Sequence, residues 1–318
     1  MCIRDRIDNL ISQRQALEFL QLGPSILNPL LWGTTLGDLV NSFLTLSKET
    51  TDVLSSNYFQ EQFSNRLISV LLISFFSVLL FIYSGAISNQ LNATAKRFEK
   101  VAGFLSSSVK YLLRYVALYS LIHLAQSLNI FGIRGDLIAE NFYVWVGYFI
   151  LALWLAERLQ MAWHVFEADN LTDRNIEKFA VLGALILVAQ EYGSQLSRLQ
   201  LIEQQSYEVF TSAITVLAGV MLRRISASMK LVVSSDTSSG SLRLKLLGFL
   251  RRIIVGVAIL SPLIAAIGYV NAGSAIAVPM VKTLGFLALI VILQRLTFDL
   301  YAAILNKSEE ETDALAPY

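Results

Sequence analysis

The residues able to act chemically are a few ionisable side chains set inside apolar stretches. Glu191 follows an apolar run and would fall near the outer end of a membrane span, where a carboxylate reads either as a proton or ion site or as a solvated helix end. Arg295 and Asp299 stand four residues apart, so on a helix they share a face and can pair locally. Pro262 cannot donate a backbone hydrogen bond and should kink the helix that contains it. Together Glu191, Pro262, Arg295 and Asp299 are the candidate ion-pathway or gating residues. His123 and His164, on different expected spans, read as polar residues near helix ends rather than ligands. Cys2 is the single cysteine, so an intrachain disulfide is excluded. No nucleophile constellation, phosphate loop, HExxH motif or haem ligand pair occurs, and no enzyme activity, cofactor, catalytic residue or metal site is expected.

The elements that must carry these residues are hydrophobic helices. Charged residues make up 15% of the chain, against roughly 25% in soluble domains. Mean hydropathy is +0.57, the composition of a polytopic membrane protein. The strongest span is 67–87, LISVLLISFFSVLLFIYSGAI, which carries no charge and is long enough to cross a bilayer. Six more are expected at 111–131, 142–165, 179–196, 209–222, 253–270 and 278–305. The fourth is interrupted by Gln190, Glu191, Gly193 and Ser194, and the fifth contains Thr215 and Gly219, a spacing that lets helices approach closely. The uncharged NAGSAIA, 271–277, is expected to be the tight turn between the last two spans. The fold class is therefore all-α, a polytopic membrane protein of about seven helices preceded by amphipathic helices.

Residues 1–66 read as the end of a helical outer domain. One amphipathic helix is expected over 7–22, stopped by Gly23 and Pro24, and a second over about 36–63, with Leu36, Leu39, Val40, Phe43 and Leu44 at helical spacing. Their apolar stripes are read as packing against a partner, because the polar faces lack the Lys and Arg of a membrane-surface helix. The opening MCIRDR looks like adaptor-derived sequence, and the chain reads as a piece of a longer protein, with 306–318 a polar tail. Lys96, Arg97, Lys100 and Lys110 crowd the first connector, and seven Lys and Arg residues between Arg223 and Arg252 face only Asp236. Basic connectors lie in the cytoplasm, which places the N-terminus outside and the C-terminal end inside.

QALEFLQLGPSILNPLLW, Gln15 to Trp32, resembles the end of a periplasmic domain attached to bacterial small-conductance mechanosensitive (MscS-like) channels. LGFLALIVILQRLTFDLYAAILNKSEEETDALAP, Leu284 to Pro317, is similar to the helical membrane extension of that group. The resemblance implies a homo-oligomer in the bacterial inner membrane that passes ions as a complete protein. The family's Gly/Ala-rich pore helix and β-rich cytoplasmic domain find no counterpart here, so these helices would couple bilayer tension to a pore formed by a further C-terminal region. A secondary transporter would need inverted repeats and paired midplane charges, and no clear repeat is present. A nonconducting membrane sensor or scaffold is the third reading. The partners expected are lipid, further copies of the chain and ions, with no nucleic acid.

Overall fold

The structure is a computed structural model that describes residues 22–24, 26–94, 99–163, 170–235 and 242–314. The described residues are helical and contain no strand: α1 (Leu30–Leu54), α2 (Asn57–Thr94), α3 (Glu99–Ser127), α4 (Gly132–Ala139), α5 (Phe142–Trp163), α6 (Asn170–Arg198), α7 (Gln204–Ser235), α8 (Leu242–Ile267) and α9 (Val270–Ala314). Six stretches among them are long and apolar enough to cross a bilayer: Asn57–Ala93, Gly132–Gln160, Asn175–Arg198, Gln204–Met229, Gly248–Ile267 and Val270–Tyr301. The protein is an all-α, multi-pass, membrane-embedded chain. Its exposed surface fits that solvent: Ile68, Leu71, Phe75, Phe76 and Ile82 of α2 and Phe286, Ile290 and Phe298 of α9 all point outward.

Two compact units form: Met1–Lys48 with Leu182–Thr283 make the first, and Glu49–Val181 with Leu284–Tyr318 the second. In the second unit, α3 lies antiparallel to α2 and is fastened to it by three polar rungs. Arg66 donates to the Ser127 carbonyl at 3.0 Å, the Ser77 and Ser120 hydroxyls meet at 2.6 Å, and Arg114 Nε donates to Ser84 Oγ at 3.2 Å. Arg66 and Ser84 are 18 positions apart, so the paired length is about 27 Å, close to a bilayer core. The expected span 111–131 is this helix. It falls outside the six apolar stretches because its polar residues are spent on α2 and α5.

In the first unit α6, α7 and α8 run antiparallel in sequence, and Gly193 on α6 faces the Phe210 ring of α7. Gly268, at φ +118°, turns the chain between α8 and α9 in a conformation that favours glycine. The turn is therefore at Gly268, and 271–277 is helix. Its small residues serve packing: Ser261 Oγ donates to the Gly273 carbonyl at 2.8 Å, and a Cβ on Gly273 would meet Ala265 at 2.9 Å. Pro279 consequently lies inside α9 rather than in its first turn.

Other boundaries shift for local reasons. The amphipathic stretch 36–63 breaks at Ser55 and Ser56, where Ser56 Oγ accepts from the Phe59 amide at 3.2 Å and starts α2 as its cap. The basic loop 223–252 is largely helical, the ends of α7 and α8. Residues 306–314 continue α9 instead of forming a loop. The helix expected over 7–22 lies outside the described residues but for Leu22.

Candidate functional site

In the second unit α3 and α5 cross the same region antiparallel, and their contact holds a charged cluster that sequence reasoning missed. Glu157 is the centre. Its Oε1 accepts from Ser107 Oγ at 3.0 Å, and its Oε2 accepts from Lys110 Nζ at 2.9 Å and from the Tyr111 hydroxyl at 2.8 Å. Helical geometry explains the convergence: 107, 110 and 111 are spaced by three and four, so all face one way. Lys110 also lies 4.9 Å from the Tyr111 ring centroid, a cation–π contact that shields its charge further.

Next to Glu157, Arg158 is nearly buried, at 8% exposure, and turns the other way along α3. Its guanidinium donates to the Gly103 carbonyl and, at 3.5 Å, to the Phe104 carbonyl. It also sits 5.5 Å from the Phe104 ring, which packs edge-on against Trp154. A carboxylate answered by three donors from one helix is a clamp between that helix and its own. The readable signal was the Ser107/Lys110/Tyr111/Arg114 stripe on an otherwise apolar helix, which marks a face turned toward other protein.

In the first unit the predicted residues fall into two places. Glu191 Oε1 lies 4.0 Å from Lys282 Nζ, with both side chains about a third or more exposed, so this is a loose ion pair and not a closed site. Pro262 meets Gly219. A Cβ at 219 would run into the Pro262 ring and fall 2.8 Å from the Ala258 carbonyl oxygen. That oxygen is the one left without a helical donor by Pro262, so α7 backs its glycine onto the free acceptor. Two features read separately in the sequence are a single contact.

Arg295 and Asp299, in the second unit, pair along their own helix at 3.4 Å. The structure does not bring them into contact with the Glu157 cluster among the described residues. His123 stacks on Tyr119 at 6.1 Å beside a shallow cavity of about 260 Å³ that Glu140 and Tyr143 also line. His164 lies outside the described residues. Among the described residues, no group of His, Cys, Asp and Glu could hold a metal ion.

Glu208 is the second residue that sequence reasoning missed. It is 5% exposed, one turn into α7, and its Oε1 accepts from Gln204 Nε2 at 2.9 Å, while Oε2 abuts Gly23. A Cβ on Gly23 would run into the Glu208 carboxylate and push it aside.

No family model matches the chain, and neither curated proteins nor solved structures provide a match.

Proposed function

We propose that this chain is the membrane-embedded helical part of a mechanosensitive channel of the MscS-like kind, converting bilayer tension into movement that opens a pore supplied by another region of the complete protein. The observation that carries the reading is the Gly219–Pro262 contact, where a proline-weakened helix is held against its neighbour at glycine distance. Such a contact has two arrangements, packed and parted, and tension favours whichever occupies more area in the membrane plane. The Glu157 clamp supplies the opposite property, a stiff α3–α5 pair that transmits force without yielding.

The chain would cross the bacterial inner membrane seven times, the six apolar stretches plus α3, whose length alongside α2 supports its crossing too. Lys96, Arg97 and Lys100 around the first connector and the basic residues between Arg223 and Arg252 favour a cytoplasmic side for both, which would leave the N-terminus in the periplasm and the end of α9 in the cytoplasm. A homo-oligomer around a central pore completes the proposal. The complete protein, expressed in cells stripped of their own tension-gated channels, should protect them from hypo-osmotic shock and give tension-gated current in excised patches. Survival no better than the empty vector, with silent patches despite normal membrane insertion, refutes it.

A further inference from the structure

The helix α1 is docked with its polarity reversed. Its two buried residues are hydrophilic, Thr35 and Ser42. Ser42 Oγ donates to the Leu201 carbonyl at 2.8 Å, and Asp38 accepts from Ser206 Oγ at 2.5 Å, so the polar face is turned onto the α6–α7 turn. Just before α1, the Gly23 amide donates to the Gly268 carbonyl at 2.8 Å. Both anchors lie at one end of the first unit, because antiparallel α6, α7, α8 and α9 place the 199–203 and 268–269 turns on the same side.

Over residues 30–44 the outward face is apolar. Leu36 is 58% exposed, Val40 56%, Phe43 66%, Leu44 57% and Leu30 81%. At 3.6 residues per turn these five occupy an arc of about 140°, while exposed Thr34, Asn41 and Lys48 border one side of it. A soluble helix presents the opposite pattern, with its apolar stripe inward.

We infer that α1 lies in the headgroup–acyl boundary of the bilayer at this end of the first unit, with the Leu36/Val40/Phe43/Leu44 face inserted among lipid chains. Two observations select lipid as the occupant. On the docked side of α1, Asp38 and Ser42 already have protein partners, so the face across from them has only dispersion and hydrophobic interactions to offer. The face also continues an apolar surface at that same end, where Leu22, Leu27 and Ile267 are 65%, 76% and 65% exposed and Ile267 adjoins the Gly268 anchor. Three sectors on one helix, docked, greasy and wet, are what a helix in the interfacial plane requires, and a lipid-facing sector needs no Lys or Arg when no anionic surface is being sought. Residues 30–48 thereby belong to the membrane region and not to an outer domain.

The test uses the full chain with Cys2→Ser, carrying single cysteines at Leu36, Val40, Phe43, Thr34 or Asn41 labelled with a nitroxide, in phosphatidylethanolamine/phosphatidylglycerol liposomes. Collision with oxygen relative to a water-soluble nickel chelate should be several-fold higher at 36, 40 and 43 than at 34 and 41. Equal, water-like ratios at all five positions overturn the inference. Low access to both reagents at 36, 40 and 43 also overturns it and means that protein covers the face; dipolar broadening between labels would then identify a second copy. All five positions are exposed or at the helix surface, so labelling leaves the fold in place, which the unfolding midpoint of each variant verifies.

Discussion

Gly219→Ala places a methyl carbon where the contact has no room for it. That carbon would lie 2.8 Å from the Ala258 carbonyl oxygen, against about 3.3–3.6 Å for a relaxed C–H···O contact. α7 and α8 must therefore part by about 0.5–0.8 Å at that level, and the Pro262 ring, closer still, demands at least as much. Overpacking of this kind costs about 1–3 kcal/mol, a factor of roughly 5–150 in the balance between packed and parted helices. The stability of the purified protein in mixed micelles, titrated with SDS, should fall by that amount. Pro262→Ala removes the ring atoms from the contact and restores a helical donor to the Ala258 carbonyl, so combined with Gly219→Ala it should recover part of the loss, a coupling of about 1 kcal/mol. Under the proposed channel function, the tension for half-opening should fall, because the substitution has already spent part of the energy that holds the helices together. An unchanged SDS midpoint for Gly219→Ala, or strictly additive effects of the two substitutions, refutes the contact as a strained point of closure.

Lys110→Met leaves Glu157 half-buried without its cation and should cost about 1–3 kcal/mol, less than the roughly 3–5 kcal/mol of a fully buried pair. Adding Glu157→Leu should return most of that in the same SDS titration. Glu191→Gln should change stability by less than about 1 kcal/mol and, under the proposed channel function, leave conductance unaltered; altered conductance or ion selectivity would make Glu191 a pathway residue. Alkaline phosphatase fused after Asp236 should be inactive and fused after Gly268 active, and the reverse pattern would invert the orientation.

What could be read directly was the lipid-facing part of the molecule. α2 and α9 expose apolar side chains along most of their length, so composition alone announces them. Helices that spend polar residues on one another are harder to read. The α3 stripe from Ser107 to Arg114 and the Ser77, Ser84 and Ser120 hydroxyls lower apparent hydropathy while improving packing, and a one-dimensional scan cannot distinguish a paired serine from a solvated one. The interrupted fourth span shows the same effect: Gly193 is a seat for Phe210, so its break in the apolar run is a packing feature of a continuous α6. NAGSAIA was misread because small residues serve both turns and close helix contacts; the deciding residue was Gly268, whose φ cannot be seen in the sequence. Gly219 and Pro262 were both legible, but their meeting required the antiparallel register of α7 and α8. Glu157 stands far in sequence from Ser107, Lys110 and Tyr111, which only the fold brings to it.

The three rungs between α2 and α3 also bear on how the chain enters its membrane. A segment carrying Arg114, Ser120 and His123 partitions poorly into lipid when it leaves the translocon by itself, whereas α2 partitions readily. With α2 waiting at the lateral gate, Ser77, Ser84 and the Ser127 carbonyl's partner Arg66 offer the newcomer ready hydrogen bonds, so the two would be released as a hairpin. Biogenesis of the second unit then depends on the order in which its helices are synthesised, and a variant with Ser77 and Ser84 both made valine, though greasier, should insert α3 less efficiently than the parent.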